Sequence, residues 1–289
     1  MSVESPIRSI SFIGLGLLGM SLLQAIKHSP LALESDILFQ GFDPNFTDDD
    51  RESVESLGVD RFTDDKKTLY QADLIILSAP VEINIALLDE ISQLAPPTTL
   101  VSDVSSTKSL IARRARDLGL PFLGMHPMAG KEQQGYRESN AELLHGRRII
   151  LCDDNNLLAG DKGAFLVALL KSAGCTTLLM TPEEHDRVIA KISHLPQLLS
   201  TLLMTWCGDS ISKSGPGFAT LARLAGSSWD IWRDIIATNS DNIADELEHF
   251  SRELDLLSHE VRKHDLGQLE SRFNEANRLY QTLKEMNRP

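Results

Sequence analysis

Cations are scarce in this chain: 28 lysines and arginines stand against 41 aspartates and glutamates in 289 residues, a formal net charge of −13. That deficit argues against nucleic acid or an anionic membrane surface as a partner, since both select basic surfaces. It also requires any anionic substrate to find a local cationic pocket. Cysteine is scarce too. Cys152, Cys175 and Cys207 have no CxxC or zinc spacing and sit in or beside apolar runs, so they read as buried free thiols in a reducing cytoplasm, with no metal site implied. Long apolar runs are missing as well. Stretches such as Leu74 to Leu77 are far too short to span a bilayer, and no charged segment followed by an apolar one begins at Met1, so no membrane association is expected.

What is present fits a globular protein: 42% hydrophobic and 24% charged residues, close to average usage. The length favours two domains, each able to bury its own core. From Ile7 to about Thr181, short apolar runs alternate with amphipathic segments, the rhythm of βαβ units around a mostly parallel sheet. Strands are expected at Ile7–Ile13, Ile37–Phe42, Leu74–Ser78, Thr99–Val101, Arg148–Leu151 and Thr176–Met180. Helices are expected at Leu17–Lys27, Asp48–Leu57, Ile83–Leu94, Thr107–Leu118 and Lys162–Ala173, several stopped by Gly58, Gly119 or Gly174.

After Thr181-Pro182 the rhythm changes. Val188, Ile192, Leu195, Leu199, Leu202 and Trp206 recur at helical spacing, as do Ile243, Leu247, Phe250, Leu254, Leu257 and Val261, and then Leu269, Phe273, Ala276, Tyr280 and Leu283. Three long amphipathic helices are therefore expected to make up most of a second domain. So many seams in about a hundred residues favour association between subunits. The expected architecture is an α/β Rossmann-like domain over residues 1–181, followed by an all-α helical dimerisation domain over 182–289.

Gly14-Leu15-Gly16-Leu17-Leu18-Gly19 follows a strand-like run and opens a helix. In that setting the first glycine makes the tight turn, the second lets a pyrophosphate approach, and the third allows helix and strand to pack closely. The free N–H groups of the helix N-terminus, around Leu17 and Leu18, would face the phosphates. Asp43, 24 residues beyond Gly19, ends the second strand, where a carboxylate accepts ribose hydroxyls and repels a 2′-phosphate, which favours NAD over NADP. Asp43-Pro44-Asn45 also reads as a turn. Ser78-Ala79-Pro80 closes another strand and would wall the nicotinamide half.

Candidates for chemistry follow. Ser106 immediately precedes an expected helix and could simply be its N-cap. His126 lies on the loop Gly124-Met125-His126-Pro127-Met128-Ala129-Gly130-Lys131-Glu132, punctuated by glycine and proline. His194 sits in Ser193-His194-Leu195-Pro196-Gln197, on a helix interrupted by proline, where a satisfied structural histidine is the plain alternative. Arg113, Arg114 and Arg116 read as a solvated helix face.

Together, Gly14 to Gly19, Ser106, the His126 to Glu132 run, Ser193-His194-Leu195-Pro196, Arg223 and Trp232-Arg233-Asp234 resemble the prephenate and arogenate dehydrogenase family of tyrosine biosynthesis, in family order over nearly the whole chain. The resemblance implies an NAD-dependent, homodimeric, cytoplasmic enzyme acting on a small cyclohexadienol, prephenate, with arogenate as the alternative. It further implies that His126 is the base that accepts the 4-hydroxyl proton, with Ser106 orienting it. Arg223 would grip the ring carboxylate, His194 would contact the other end of the substrate, and Glu132 would stand near the site entrance. Trp232 would contribute from the helical domain, within its own subunit or across the dimer. A neutral imidazole suits the base role near pH 7. One departure concerns Gln197, which stands where prephenate-using relatives often carry a second histidine. Glutamine can donate and accept but cannot become cationic, so the choice between prephenate and arogenate stays open.

The length leaves no residues for a further catalytic domain before Ile7 or a sensing domain after Pro289, so a monofunctional enzyme is expected. Two rivals remain. A β-hydroxyacid dehydrogenase would need a catalytic lysine after the nucleotide domain, where Lys191 is the candidate. A nucleotide-sensing protein without turnover would carry a damaged site, whereas Ser106, His126, His194 and Arg223 are all present.

Overall fold

A computed structural model describes residues 5–131 and 133–286. Eight strands form one sheet in the order β3-β2-β1-β4-β5-β6-β7-β8. They are β1 (Ser9–Ile13), β2 (Leu38–Phe42), β3 (Arg61–Phe62), β4 (Leu74–Leu77), β5 (Leu100–Asp103), β6 (Phe122–Pro127), β7 (Arg148–Cys152) and β8 (Thr176–Met180). All neighbours are parallel except β6 and β7, where His126 stands opposite Ile150. Helices α1 (Leu17–Lys27), α2 (Pro30–Ser35), α3 (Asp48–Ser56), α4 (Lys66–Tyr70), α5 (Val81–Leu94), α6 (Ser109–Asp117) and α7 (Asp161–Ser172) connect the strands. The four residues of β4 are fully buried, as a central parallel strand covered on both faces requires.

β6 corrects the expectation that His126 belongs to a loop. Gly124 lies inside this strand because a Cβ there would come within 2.9 Å of the Lys108 side chain, so its lack of a side chain serves close packing and not a turn. His126 is the penultimate residue of the strand, held in register by β7.

The sheet ends at Met180, and α8 (Pro182–Ile189) begins the helical part with Thr181 as N-cap and Pro182 in the first turn. α9 (Leu195–Trp206), α10 (Pro216–Ala222), α11 (Trp229–Thr238), α12 (Ser240–Arg262) and α13 (Leu266–Met286) follow. The first expected seam is not continuous. A π-helical turn over Ala190–His194 separates α8 from α9. Pro196 explains it: proline offers no N–H to the carbonyl four residues back and its ring collides with that carbonyl, so the helix widens by one residue. The inserted residue rotates the faces. His185, Asp186, Ile189, Ala190, His194, Gln197 and Ser200 are buried, while Ile192, Leu202 and Trp206 are exposed. α12 buries only Ile243, and no described residue of α13 is buried.

Candidate active site

The glycine-rich turn follows β1 on the C-terminal edge of the sheet. Gly14 has φ +92°, and a Cβ on it would lie 2.6 Å from the Ala79 nitrogen. At Gly19 a Cβ would meet the Gly14 carbonyl and the Ser78 hydroxyl. At Gly16 nothing stands within 4 Å of where a Cβ would be, which leaves an open cradle at the N-cap of α1. Tight, open, tight is the pattern required for a pyrophosphate to reach backbone N–H groups. Asp43 lies beside it. Its carboxylate accepts from Leu15 N at 3.0 Å and Asn45 N at 3.0 Å, fixing it at the end of β2 with lone pairs still available. Ser78 donates to the Ile13 and Gly14 carbonyls, and Ala79 and Pro80 lead into α5. Buried Asn84 donates to the Ala79 carbonyl at 2.8 Å and to Ser105 Oγ at 3.0 Å, tying the turns after β4 and β5 together.

One strand further on, a buried polar network joins the two halves of the chain. Asp103 ends β5 and forms an ion pair with Lys108 Nζ at 2.5 Å, both side chains fully buried. α6 begins two residues later than expected, and Ser106 is not its cap. Asp186 of α8 takes that role from across the domain boundary, accepting from Lys108 N at 2.7 Å and Ser109 N at 2.8 Å. The same carboxylate accepts from His185 Nδ1 at 2.9 Å. With its Nδ1 proton committed, neutral His185 presents a lone pair at Nε2, which accepts the Nδ1–H of His126 at 2.9 Å. His126 Nε2 is therefore left bare, and no described residue bonds to it. Burial above all, with smaller contributions from the neighbouring His185 and Lys108, holds His126 well below the ordinary histidine range, so it stays neutral.

His194 lies on the π-helical turn, its ring edge-on to Trp232 with centroids 5.7 Å apart. Its Nδ1 is 3.3 Å from Asn239 Nδ2, and Asn239 also donates to the Asp186 carbonyl at 2.9 Å. Burial pushes the His194 pKa down to about 4.

The structure brings His126, His194 and Trp232 of one chain together at the domain junction, so Trp232 needs no partner subunit to reach His194. Ser106 stands on the same β5–α6 turn but makes no hydrogen bond to His126, whose Nδ1 is held by His185. Gln197 points at the next loop: its amide donates to the Leu224 carbonyl at 2.7 Å and accepts from Ser227 Oγ at 3.2 Å, bracing the segment that begins at Arg223. Arg223 itself is exposed on that segment. Glu132 lies outside the described residues. Lys191 is exposed, and the buried lysine near the imidazoles is Lys108. Sequence reasoning missed Asn84, Lys108, His185, Asp186 and Asn239. His185 and Asp186 did carry a signal, since they precede Ile189 by four and three residues and so share its buried helix face.

An open cradle at the N-terminus of α1 beside the Asp43 carboxylate, with a neutral imidazole under a helical domain, fits a two-domain dinucleotide-dependent oxidoreductase. Comparison with known proteins specifies it further. Residues 39–173 match the model for the nucleotide-binding domain of prephenate dehydrogenase, and residues 181–275 match the model for its dimerization domain. The chain is 31% identical to the prephenate dehydrogenase of Bacillus subtilis, covering 93% of this chain and 74% of that one. It is 28% identical to the cyclohexadienyl dehydrogenase of Zymomonas mobilis, covering 96% of each. Among solved structures, prephenate dehydrogenase from Aquifex aeolicus in complex with hydroxyphenyl propionate and NAD+ superposes with TM-score 0.86 at 24% identity, over 98% of this chain and 100% of that one. Synechocystis arogenate dehydrogenase gives TM-score 0.82 at 25% identity, over 95% and 99%. The chain belongs to the prephenate dehydrogenase family.

Proposed function

We propose that this protein is an NAD-dependent prephenate dehydrogenase, converting prephenate to 4-hydroxyphenylpyruvate and carbon dioxide in tyrosine biosynthesis. The observation that carries the reading is the chain Asp186, His185, His126, which leaves a bare Nε2 at the C-terminal edge of the sheet, where ligands of such sheets lie. Gly16, Asp43 and the N-terminus of α1 would hold NAD, which when bound accepts a hydride. His126 Nε2 takes the proton of the 4-hydroxyl as the hydride leaves the same ring carbon. The ring carboxylate departs as carbon dioxide, the electron pair of the broken C–C bond completes the aromatic ring, and the proton on His126 returns to the phenolate oxygen. Arg223 supplies the cation for a substrate carboxylate within an otherwise acidic chain.

The test is steady-state kinetics with prephenate and arogenate, each with NAD and NADP. Turnover of prephenate with NAD supports the reading, and failure with both cyclohexadienols sinks it. Arogenate is the second reading, and Gln197 favours it: with both ends of its amide engaged it offers no cation to the side-chain carboxylate, whose charge in arogenate is already offset by the neighbouring ammonium group. A strong preference for arogenate would replace the substrate assignment.

We also infer a homodimer through the helical part. Trp206, Phe273, Tyr280 and Leu283 are all more than half exposed in the single chain, which a second copy would relieve.

A further inference from the structure

Two histidines at the domain junction are neutral, yet their surroundings are not alike. His126 is met at Nδ1 by an acceptor, the lone pair of His185. His194 is met at Nδ1 by Asn239, and the orientation of that amide is fixed independently. Asn239 Oδ1 accepts from Asn242 Nδ2 at 2.7 Å, so its Nδ2 faces the Asp186 carbonyl, which can only accept. The same Nδ2 faces His194 at 3.3 Å, and an amide nitrogen is only a donor. His194 Nδ1 must therefore be bare and its proton must sit on Nε2, which has no hydrogen-bond partner among the described residues. Asn239 is itself pinned, 4% exposed at the junction of α11 and α12.

We propose that Asn239 is a positioning residue that fixes His194 as a neutral Nε2–H donor, the opposite tautomer to His126, so that the site takes a ligand with a hydroxyl at the His126 side and an acceptor oxygen, carboxylate or keto, at the His194 side. The ligand half of this inference rests on the reading that both imidazoles face the substrate. The tautomer half does not. The groups around His194 agree with a donor that carries no charge: Asp186 favours a cation, and burial together with His185 outweighs it. A protonated His194 would also set two donors face to face at Nδ1.

The experiment is long-range 1H–15N spectroscopy of the full-length protein labelled at histidine, at pH 7, with signals assigned from His126→Asn and His194→Gln. Expected are the Nδ1–H pattern for His126 and the Nε2–H pattern for His194. Asn239→Asp keeps the size of the side chain but offers an acceptor, so His194 should gain a proton at Nδ1. KM should then rise about tenfold or more, as loss of a hydrogen bond to a charged group implies, with kcat changing less. Asn239→Ala should give a tautomer mixture, and it decides the matter if Asn239→Asp fails to fold. An Nδ1–H pattern for His194 in the wild type, an unmixed wild-type pattern in Asn239→Ala, or an unchanged KM in both variants would overturn the proposal. If the wild type oxidises neither prephenate nor arogenate, the proposed function fails while the spectra still decide the tautomers. The ligand half is then read from the His194 Nε2 signal on adding 3-(4-hydroxyphenyl)propanoate: a shift supports it, and none overturns it.

Discussion

At the scale of single residues, the site works by withholding charge. In the proposed reaction His126 accepts a proton, and its surroundings keep it from arriving already protonated. His126→Asn, which retains size and polarity but has no basic nitrogen, should lower kcat by about 10²- to 10⁴-fold with KM little changed, and an unaltered kcat would remove His126 from the mechanism. The pH dependence has a definite sign. A base is lost as pH falls through its folded pKa, and that of His126 lies well below 6.5, so the acid limb of the kcat profile should lie below pH 6.5. An acid limb in the kcat profile at 6.5 or above would contradict this. His194 adds a stability term of the same direction. Its pKa is about 4 in the folded protein and 6.5 in the unfolded chain. The unfolded state therefore binds more protons between those values, and stability is lost as pH falls through that window, by about 3 kcal/mol in total. Urea denaturation at pH 7 and pH 4.5 should show a smaller loss for His194→Gln than for the wild type.

At the scale of elements, the glycine-rich turn was legible in the sequence because its spacing and its strand–turn–helix setting are contiguous, although Gly14 and Gly19 pack against Ser78 and Ala79 after β4. The imidazole network was not, because its members lie far apart in the chain. Asp186 caps α6 from 77 residues away, and nothing near Ser106 in sequence reveals it. His126 was misplaced for a related reason. Gly124 and Pro127 read as turn residues, but Gly124 is there to make room for the buried Lys108 stem. The π-helical turn was hidden too, although Pro196 marked it, since a proline can end a helix, kink it or widen it. The glycines yield a paired prediction. Gly19→Ala drives a methyl group to within 2.4 Å of the Gly14 carbonyl, so it should destabilise the folded chain and abolish nucleotide binding together. Gly16→Ala meets nothing, so it should leave the melting temperature of the nucleotide-free protein within a few degrees, since about 1 kcal/mol moves a chain of this size by only ~2–4 °C. Its NAD affinity should nevertheless fall at least about tenfold, a change of about 1.4 kcal/mol read by calorimetry. Equal losses of stability in the two variants would show that Gly16 is not the open side of the cradle.

At the scale of the whole molecule, the two halves of the chain differ in what they bury. The sheet and its helices enclose continuous apolar clusters, whereas α12 and α13 carry their apolar seams almost uncovered: Phe273 is 70% exposed, and Tyr280 and Leu283 are each 53% exposed. A seam of that length on a monomer would be an aggregation hazard, and its helical spacing suits a second amphipathic surface of the same kind. The acidic net charge does not oppose this, because apolar side chains occupy the seam and charged ones the remaining faces. In sedimentation equilibrium at micromolar concentration the wild type should run at twice its 32.0 kDa chain mass. Placing carboxylates in the centre of the seam, as Phe273→Asp with Leu283→Asp, should convert it to single chains, since burying two unpaired charges costs more than the contact returns. Far-ultraviolet circular dichroism distinguishes dissociation from unfolding. A wild type that sediments at 32.0 kDa, or a double variant that stays at twice that mass, would place the association surface elsewhere.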